Sequence, residues 1–113
     1  MIDVDALKAV NDTHGHAAGD VLLSDVAAAI TATLRAYDVK VRWGGDEFVC
    51  ALYDLTIEVA WHRLGEIQTA LDVLNPGASI SAGLARLDDD ETLESLVARA
   101  DTDLYRTKAN REN

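Results

Sequence analysis

The chain holds one cysteine, one proline, two tryptophans, three tyrosines and one phenylalanine in 113 residues. A single cysteine excludes an internal disulfide, and the neighbours Val49, Ala51 and Leu52 make Cys50 a small buried hydrophobe rather than a nucleophile. With so little proline, no low-complexity tract and no internal repeat, the sequence offers no linker, so residues 1–113 are read as one domain. No apolar run approaches the roughly 20 residues that cross a bilayer, which argues against membrane contact by this segment. Met1 is not followed by the basic start and apolar core of a signal peptide, so a cytoplasmic setting is expected. Basic residues are also scarce, 10 against 20 acidic ones, for a net charge of −10. Such a field repels polyanions and, with few aromatics to form a stacking platform, excludes a nucleic-acid binder. A small nucleotide remains compatible, because a divalent cation held by carboxylates can bridge an acidic pocket to a triphosphate.

What the chain does contain is 49% hydrophobic residues in regular patterns. Met1–Val4 reads as a strand end and Asp5–Asp20 as a structured loop punctuated by Asn, Gly and His. Leu22, Val26, Ile30 and Leu34 recur at helical spacing over Val21–Ala36. Val39, Val41 and Trp43 alternate with Lys40 and Arg42 before Gly44-Gly45, and Phe48–Tyr53 continues as a second strand, which makes a hairpin. Thr56–Leu74 is a helix stopped by Asn75-Pro76-Gly77, Ser79–Leu87 a strand, and Thr92 to about Asn110 a last helix capped by Thr92. The order suits an α+β, ferredoxin-like fold, an antiparallel sheet with helices on one face.

Gly44-Gly45-Asp46-Glu47-Phe48 is the chemical centre. Two glycines permit positive φ and let a phosphate approach the backbone, and the next two residues fix carboxylates in place. If the first strand lies beside the hairpin, Asp3 converges with Asp46 and Glu47, an arrangement that is costly unless a cation sits among them. Mg²⁺ suits such oxygen ligands, and Mn²⁺ fits the same set. His14 and His16 flank Gly15 without a third nitrogen or sulfur ligand and are taken as structural.

Asp3-Val4-Asp5, Lys8, Asn11-Asp12, Gly15-His16 and Gly19-Asp20 follow one another at the spacing of the GGDEF family's first motif, and the pentapeptide that names the family is intact. Ser79-Ile80-Ser81-Ala82-Gly83, Ala100-Asp101, Leu104-Tyr105 and Lys108 match further along. The chain therefore resembles a diguanylate cyclase catalytic domain over essentially its whole length. The resemblance implies the nucleotidyl-cyclase variant of the ferredoxin-like fold. It also implies condensation of two GTP into cyclic di-GMP by two facing copies, with release of pyrophosphate, and an upstream sensor or regulatory domain.

By position, the resemblance assigns Asp3, the Val4 carbonyl, Asp46 and Glu47 to the Mg²⁺ site, with Asp46 and Glu47 catalytic. It assigns Gly44, Gly45, Lys8 and Lys108 to the phosphates and Asn11 and Asp20 to guanine. Asp20 suits that role because a carboxylate accepts from the N1–H and amino donors of guanine together. Arg35 and Asp38, an Arg-x-x-Asp pair ahead of the Gly-Gly turn, fall where the family carries an inhibitory site for its product. Three departures stand out. The chain begins inside the family's first strand, truncated at its N-terminus. Leu7 replaces a usual phenylalanine. Glu112 falls where a phosphate-binding arginine is expected, with Arg111 beside it. These departures keep an alternative open: a degenerate domain that binds GTP or cyclic di-GMP and signals without turnover.

Overall fold

A computed structural model describes residues 1–112, and the side chains of Arg111 and Glu112, singled out above, lie outside the described ones. The chain runs β1 (Ile2–Val4), α1 (Leu7–His14), α2 (His16–Thr33), β2 (Val39–Arg42), β3 (Glu47–Ala51), α3 (Ile57–Leu74), β4 (Ile80–Ala82) and α4 (Leu93–Glu112). The sheet order is β2-β3-β1-β4 with every pairing antiparallel, which is the ferredoxin-like arrangement. β1 and β3 are central, in the register Ile2↔Phe48 and Asp3↔Glu47.

Alternation along the strands divides the side chains between two cores. Ile2, Val4, Phe48 and Ala82 pack with Leu22, Val26, Ala29 and Ile30 of α2 and Ile67 and Leu71 of α3. Each of the fully covered aliphatics contributes about 2 kcal/mol by leaving water. On the opposite face Met1, Val49 and Ala85 meet Val97, Ala100 and Leu104 of α4. The sheet thus carries helices on both faces, not one, because α4 also has an apolar stripe to bury. A Cβ added to Gly83 would lie 2.1 Å from the Ala100 oxygen and 2.2 Å from the Leu104 nitrogen, so α4 rests directly on that glycine.

Two stretches differ from the sequence reading. Most of the expected loop 5–20 is helical, and α2 starts at His16 instead of Val21. Asn11, Asp12 and Thr13 are weak helix formers, but α1 is supported by packing along α2, with Gly15 at φ 88° as the joint between them. β4 ends at Ala82, short of the expected Leu87. Beyond it the backbone turns to α4, where the Leu84 N–H donates to Asp103 Oδ2 at 2.8 Å and Arg99 donates to the Arg86 carbonyl. Thr56 and Thr92 cap α3 and α4 by accepting from the N–H groups of Val59 (3.2 Å) and Ser95 (3.1 Å). Cys50 packs half-buried against the larger core, and burial pushes its thiol pKa up, in keeping with an inert role.

Candidate active site

Antiparallel pairing of the two central strands brings the end of β1 against the start of β3. The Val4 N–H donates to the Asp46 carbonyl at 2.9 Å, which puts Asp3 and Asp46 side by side at one end of the sheet. Asp3 is buried, at 7% exposure. Burial is the main force pushing its pKa up, opposed by a hydrogen bond from Lys108 and reinforced by Asp46. Lys108, reaching in from α4, donates to Asp3 Oδ2, while Asp3 Oδ1 is buried without a hydrogen-bond partner. For Lys108, burial works against the charge, yet the bond to Asp3 and the charges of Asp3, Asp5 and Asp46 outweigh it and raise its pKa. The pair is lopsided: the lysine gains from it, while the carboxylate, more deeply buried and next to a second carboxylate, stays disfavoured as an anion.

Val4, Asp5, Ala6, Leu7, Lys8, Asp46, Ser81 and Lys108 line a cavity of about 390 Å³. Its floor is the entrance to α1. Ala6 sits there at φ 60°, ψ 22°, a left-handed conformation uncommon outside glycine, and caps α1 with no side-chain hydrogen bond. The first N–H groups of α1 therefore have no intrahelical partner and face a site that suits an anion. Asp5 holds this turn: it accepts from Ser79 Oγ and Ser81 Oγ, each at 2.6 Å, and its N–H donates to the Ser79 carbonyl. The first motif is thereby tied to Ser79-Ile80-Ser81 of β4.

The glycine turn closes with the Trp43 N–H donating to the Glu47 carbonyl at 2.8 Å. Neither glycine uses the positive φ that its lack of a side chain permits. What glycine provides is room. A Cβ on Gly45 would meet nothing within 4 Å, and one on Gly44 would press on Glu47 Oε1 at 3.2 Å. Glu47 thus lies over Gly44, opposite Asp3 in register. Among the described residues no three His, Cys, Asp or Glu side chains are drawn together as a ready metal cluster. The donors present still fit a hard divalent cation: the Val4 carbonyl and the adjacent carboxylates of Asp3 and Asp46, of which Asp3 keeps one buried oxygen with no partner.

Sequence reasoning missed Arg42, which reads as a polar alternate of β2. Its Nε donates to the Gly44 carbonyl at 3.2 Å and its terminal nitrogen to the Gly45 carbonyl at 2.8 Å, fixing the turn. The one available signal was an arginine two residues before the glycines. A second cavity, about 430 Å³, is lined by Asp20, Leu23, Ser24, Ala27, Lys40, Arg42 and Phe48. Asp20 lies in the second turn of α2. Asn11 lies on α1 against Gly19, next in sequence to Asp20, but lines neither cavity.

Arg35 and Asp38 meet away from this site, at the open end of the hairpin. Asp38 accepts from the Arg35 backbone N–H (2.9 Å), Nε (3.1 Å) and terminal nitrogen (3.1 Å), and from the Tyr53 N–H (3.4 Å). The Arg35 guanidinium also donates to the Tyr53 carbonyl and stacks 4.5 Å from the Tyr37 ring centre. The Arg35 bonds hold the Asp38 pKa down.

Comparison with known proteins places this geometry. The family model for "Diguanylate cyclase, GGDEF domain" matches residues 1–113. Diguanylate cyclase A of Treponema denticola is 36% identical over all of this chain and 33% of its own length. Diguanylate cyclase DgcM of Escherichia coli is 32% identical over all of this chain and 28% of its own length. The chain thus spans a third or less of the length of these curated relatives. Among solved structures, the GGDEF domain of DgcB from Caulobacter crescentus in complex with c-di-GMP superposes with a TM-score of 0.89 at 28% identity, over 96% of this chain and 70% of that one. Diguanylate cyclase SiaD of Pseudomonas aeruginosa, in complex with its activator SiaC, does so at 0.88 and 34% identity, over 96% of this chain and 45% of that one. The chain belongs to the GGDEF domain family of diguanylate cyclases.

Proposed function

We propose that this domain is one half of a diguanylate cyclase and that two copies join two GTP into cyclic di-GMP. The observation that carries the reading is the Asp3–Asp46 pair: Asp46 lines a cavity with Lys8 and Lys108, and Asp3 beside it keeps a buried carboxylate oxygen without a partner. Asp3, the Val4 carbonyl, Asp46 and Glu47 would hold Mg²⁺, or Mn²⁺, which when bound would supply charge stabilisation at the phosphates and lower the pKa of the attacking hydroxyl.

The chain's own groups do the positioning. Lys8, Lys108 and the first N–H groups of α1 bind phosphate oxygens, and Gly44 and Gly45 let them approach the turn that Arg42 fixes. Asp20 and Asn11 read guanine from the α1–α2 side, which makes GTP preferred over ATP. The 3′-oxygen of one nucleotide forms a bond to the α-phosphorus of the other as the bond to pyrophosphate breaks, and a second such step closes the ring. One domain holds one nucleotide, so two copies must face each other. Asp46 and Glu47 are the catalytic residues, lying where the phosphates meet the turn.

Product feedback through Arg35 and Asp38 belongs to the same reading. Since Asp38 is already engaged by four donors, Arg35 is the ligand-facing member and Asp38 its holder, and the cyclic dinucleotide bound to the DgcB domain is of the class such a site takes. An upstream sensor or activator partner in the cytoplasm is in keeping with relatives of greater length and with the SiaD–SiaC complex.

One observation favours a second reading. Lys108 is already bonded to Asp3, one of the proposed metal ligands, an engagement that a domain binding nucleotide without turnover keeps. Incubation with GTP and Mg²⁺ at high protein concentration, with the products identified by chromatography and mass, separates the two. Cyclic di-GMP and pyrophosphate are the expected products; GTP bound and recovered intact would establish the binding module.

A further inference from the structure

We propose that Gly19 is a positioning residue for Asn11, set in α2 to hold the base-reading amide of α1 at a fixed angle to Asp20. This rests on the reading that Asn11 and Asp20 contact guanine. A glycine in the second turn of an 18-residue helix needs a reason, since alanine there is favoured by about 1 kcal/mol. Gly19 is buried and its φ is not positive, so backbone conformation supplies none. Its surroundings do. A Cβ built on Gly19 would lie 1.7 Å from Asn11 Oδ1, 2.7 Å from Cγ and 3.1 Å from Nδ2. The amide of Asn11 therefore occupies the volume where a side chain at position 19 would be.

The amide is also held without help from other polar groups. Asn11 Oδ1 is buried with no hydrogen-bond partner, so shape alone keeps the side chain in the α1–α2 seam. An unpartnered amide atom costs stability, and Asn11 Oδ1 is one of three buried side-chain atoms so left among the described residues, with Asp3 Oδ1 and Arg63 Nε. Asp20, the next residue, lines the cavity of about 430 Å³. Two hydrogen-bonding groups meant for one base edge must keep a fixed separation, and here the missing Cβ sets it. The group that a Cβ would strike is the tip of a flexible side chain, not backbone. Gly19→Ala therefore relieves the contact by rotating Asn11 away, and both helices keep their places.

The test is a double-mutant cycle on Gly19→Ala and Asn11→Ala. Binding of 3′-deoxy-GTP, which lacks the attacking hydroxyl, and of inorganic triphosphate is titrated calorimetrically in the presence of Mg²⁺, and melting temperatures are recorded. Gly19→Ala is expected to weaken 3′-deoxy-GTP binding about tenfold, the scale of one lost hydrogen bond to the base. Triphosphate binding should hold and the melting temperature should not fall, and in the Asn11→Ala background Gly19→Ala should have no further effect on binding. Equal losses in both backgrounds, a parallel loss of triphosphate binding, or no loss from Gly19→Ala while Asn11→Ala does weaken binding would overturn the role of Gly19 alone. Full 3′-deoxy-GTP affinity in Asn11→Ala would overturn the base-reading assignment, and the role of Gly19 with it.

Discussion

Two carboxylates paired with cations sit at opposite ends of the β2–β3 hairpin, and they are built to opposite ends. At the open end Asp38 is fully covered and every approach to it is a donor, so its charge is stabilised and its pKa held down. At the turn end Asp3 is buried beside Asp46, keeps one oxygen without a partner, and has its pKa pushed up chiefly by burial. The first is a lock on the strands that present the glycine turn. The second stores unfavourable electrostatics that a bound cation relieves. A carboxylate near a cation is thus uninformative until its remaining lone pairs are counted.

The largest expected effect falls at the unsatisfied end. Asp46→Asn should lower the rate of cyclic di-GMP formation by about 10³-fold or more, as the loss of charge at a phosphoryl-transfer centre does, with little change in melting temperature. Next comes a purely structural change nearby. Gly83→Ala drives a Cβ into the α4 backbone, where nothing can rotate away, and should cost about 2–3 kcal/mol in a denaturant titration. Set beside Gly19→Ala, it shows whether a glycine makes room for backbone or for a side chain.

Smaller effects sharpen the contrast by their pH dependence. The depressed pKa of Asp38 means that its contribution to stability is complete above the ordinary carboxylate range and is lost as pH falls through its lowered folded value. Asp38→Asn should accordingly melt several degrees below wild type at neutral pH, with the gap closing in acid. Asp3 carries the opposite sign. Its folded pKa is raised, so its contribution is present below the ordinary range and is lost as pH rises through the folded value. Asp3→Asn in the absence of metal should therefore match wild type in acid and equal or exceed it at neutral pH. The smallest change is just ahead of α4, where hydrogen bonds from Arg99, the Asp88 N–H and Ser95 bring the Glu91 pKa down to about 2. Glu91→Gln should leave the neutral melting temperature almost unmoved, with any difference from wild type vanishing as acid titrates Glu91.

Much of this was legible in the sequence, because periodicity and turn residues act locally. The hairpin, α3 and the last helix with its Thr92 cap follow from patterns that need no distant partner, whereas the convergence of Asp3 with Asp46 was legible only on the condition that the first strand lies beside the hairpin. The helix α1 was not legible, since Asn11, Asp12 and Thr13 resemble loop residues until α2 supports them. Nor was the face that α4 covers, which depends on a contact between Gly83 and backbone 17 or more residues further along. The part of Arg42 was hidden because its acceptors are backbone carbonyls, which every sequence has. The two serines that hold Asp5 are 74 and 76 residues away, too far for any spacing rule to pair them.

The most direct test of the account is Asp3→Asn examined in two ways at once: by thermal melting without metal at neutral pH, and by product analysis with GTP and Mg²⁺. The account predicts a domain that melts no lower than wild type and makes no detectable cyclic di-GMP. A variant that melts several degrees lower, or that still makes the product, would contradict it.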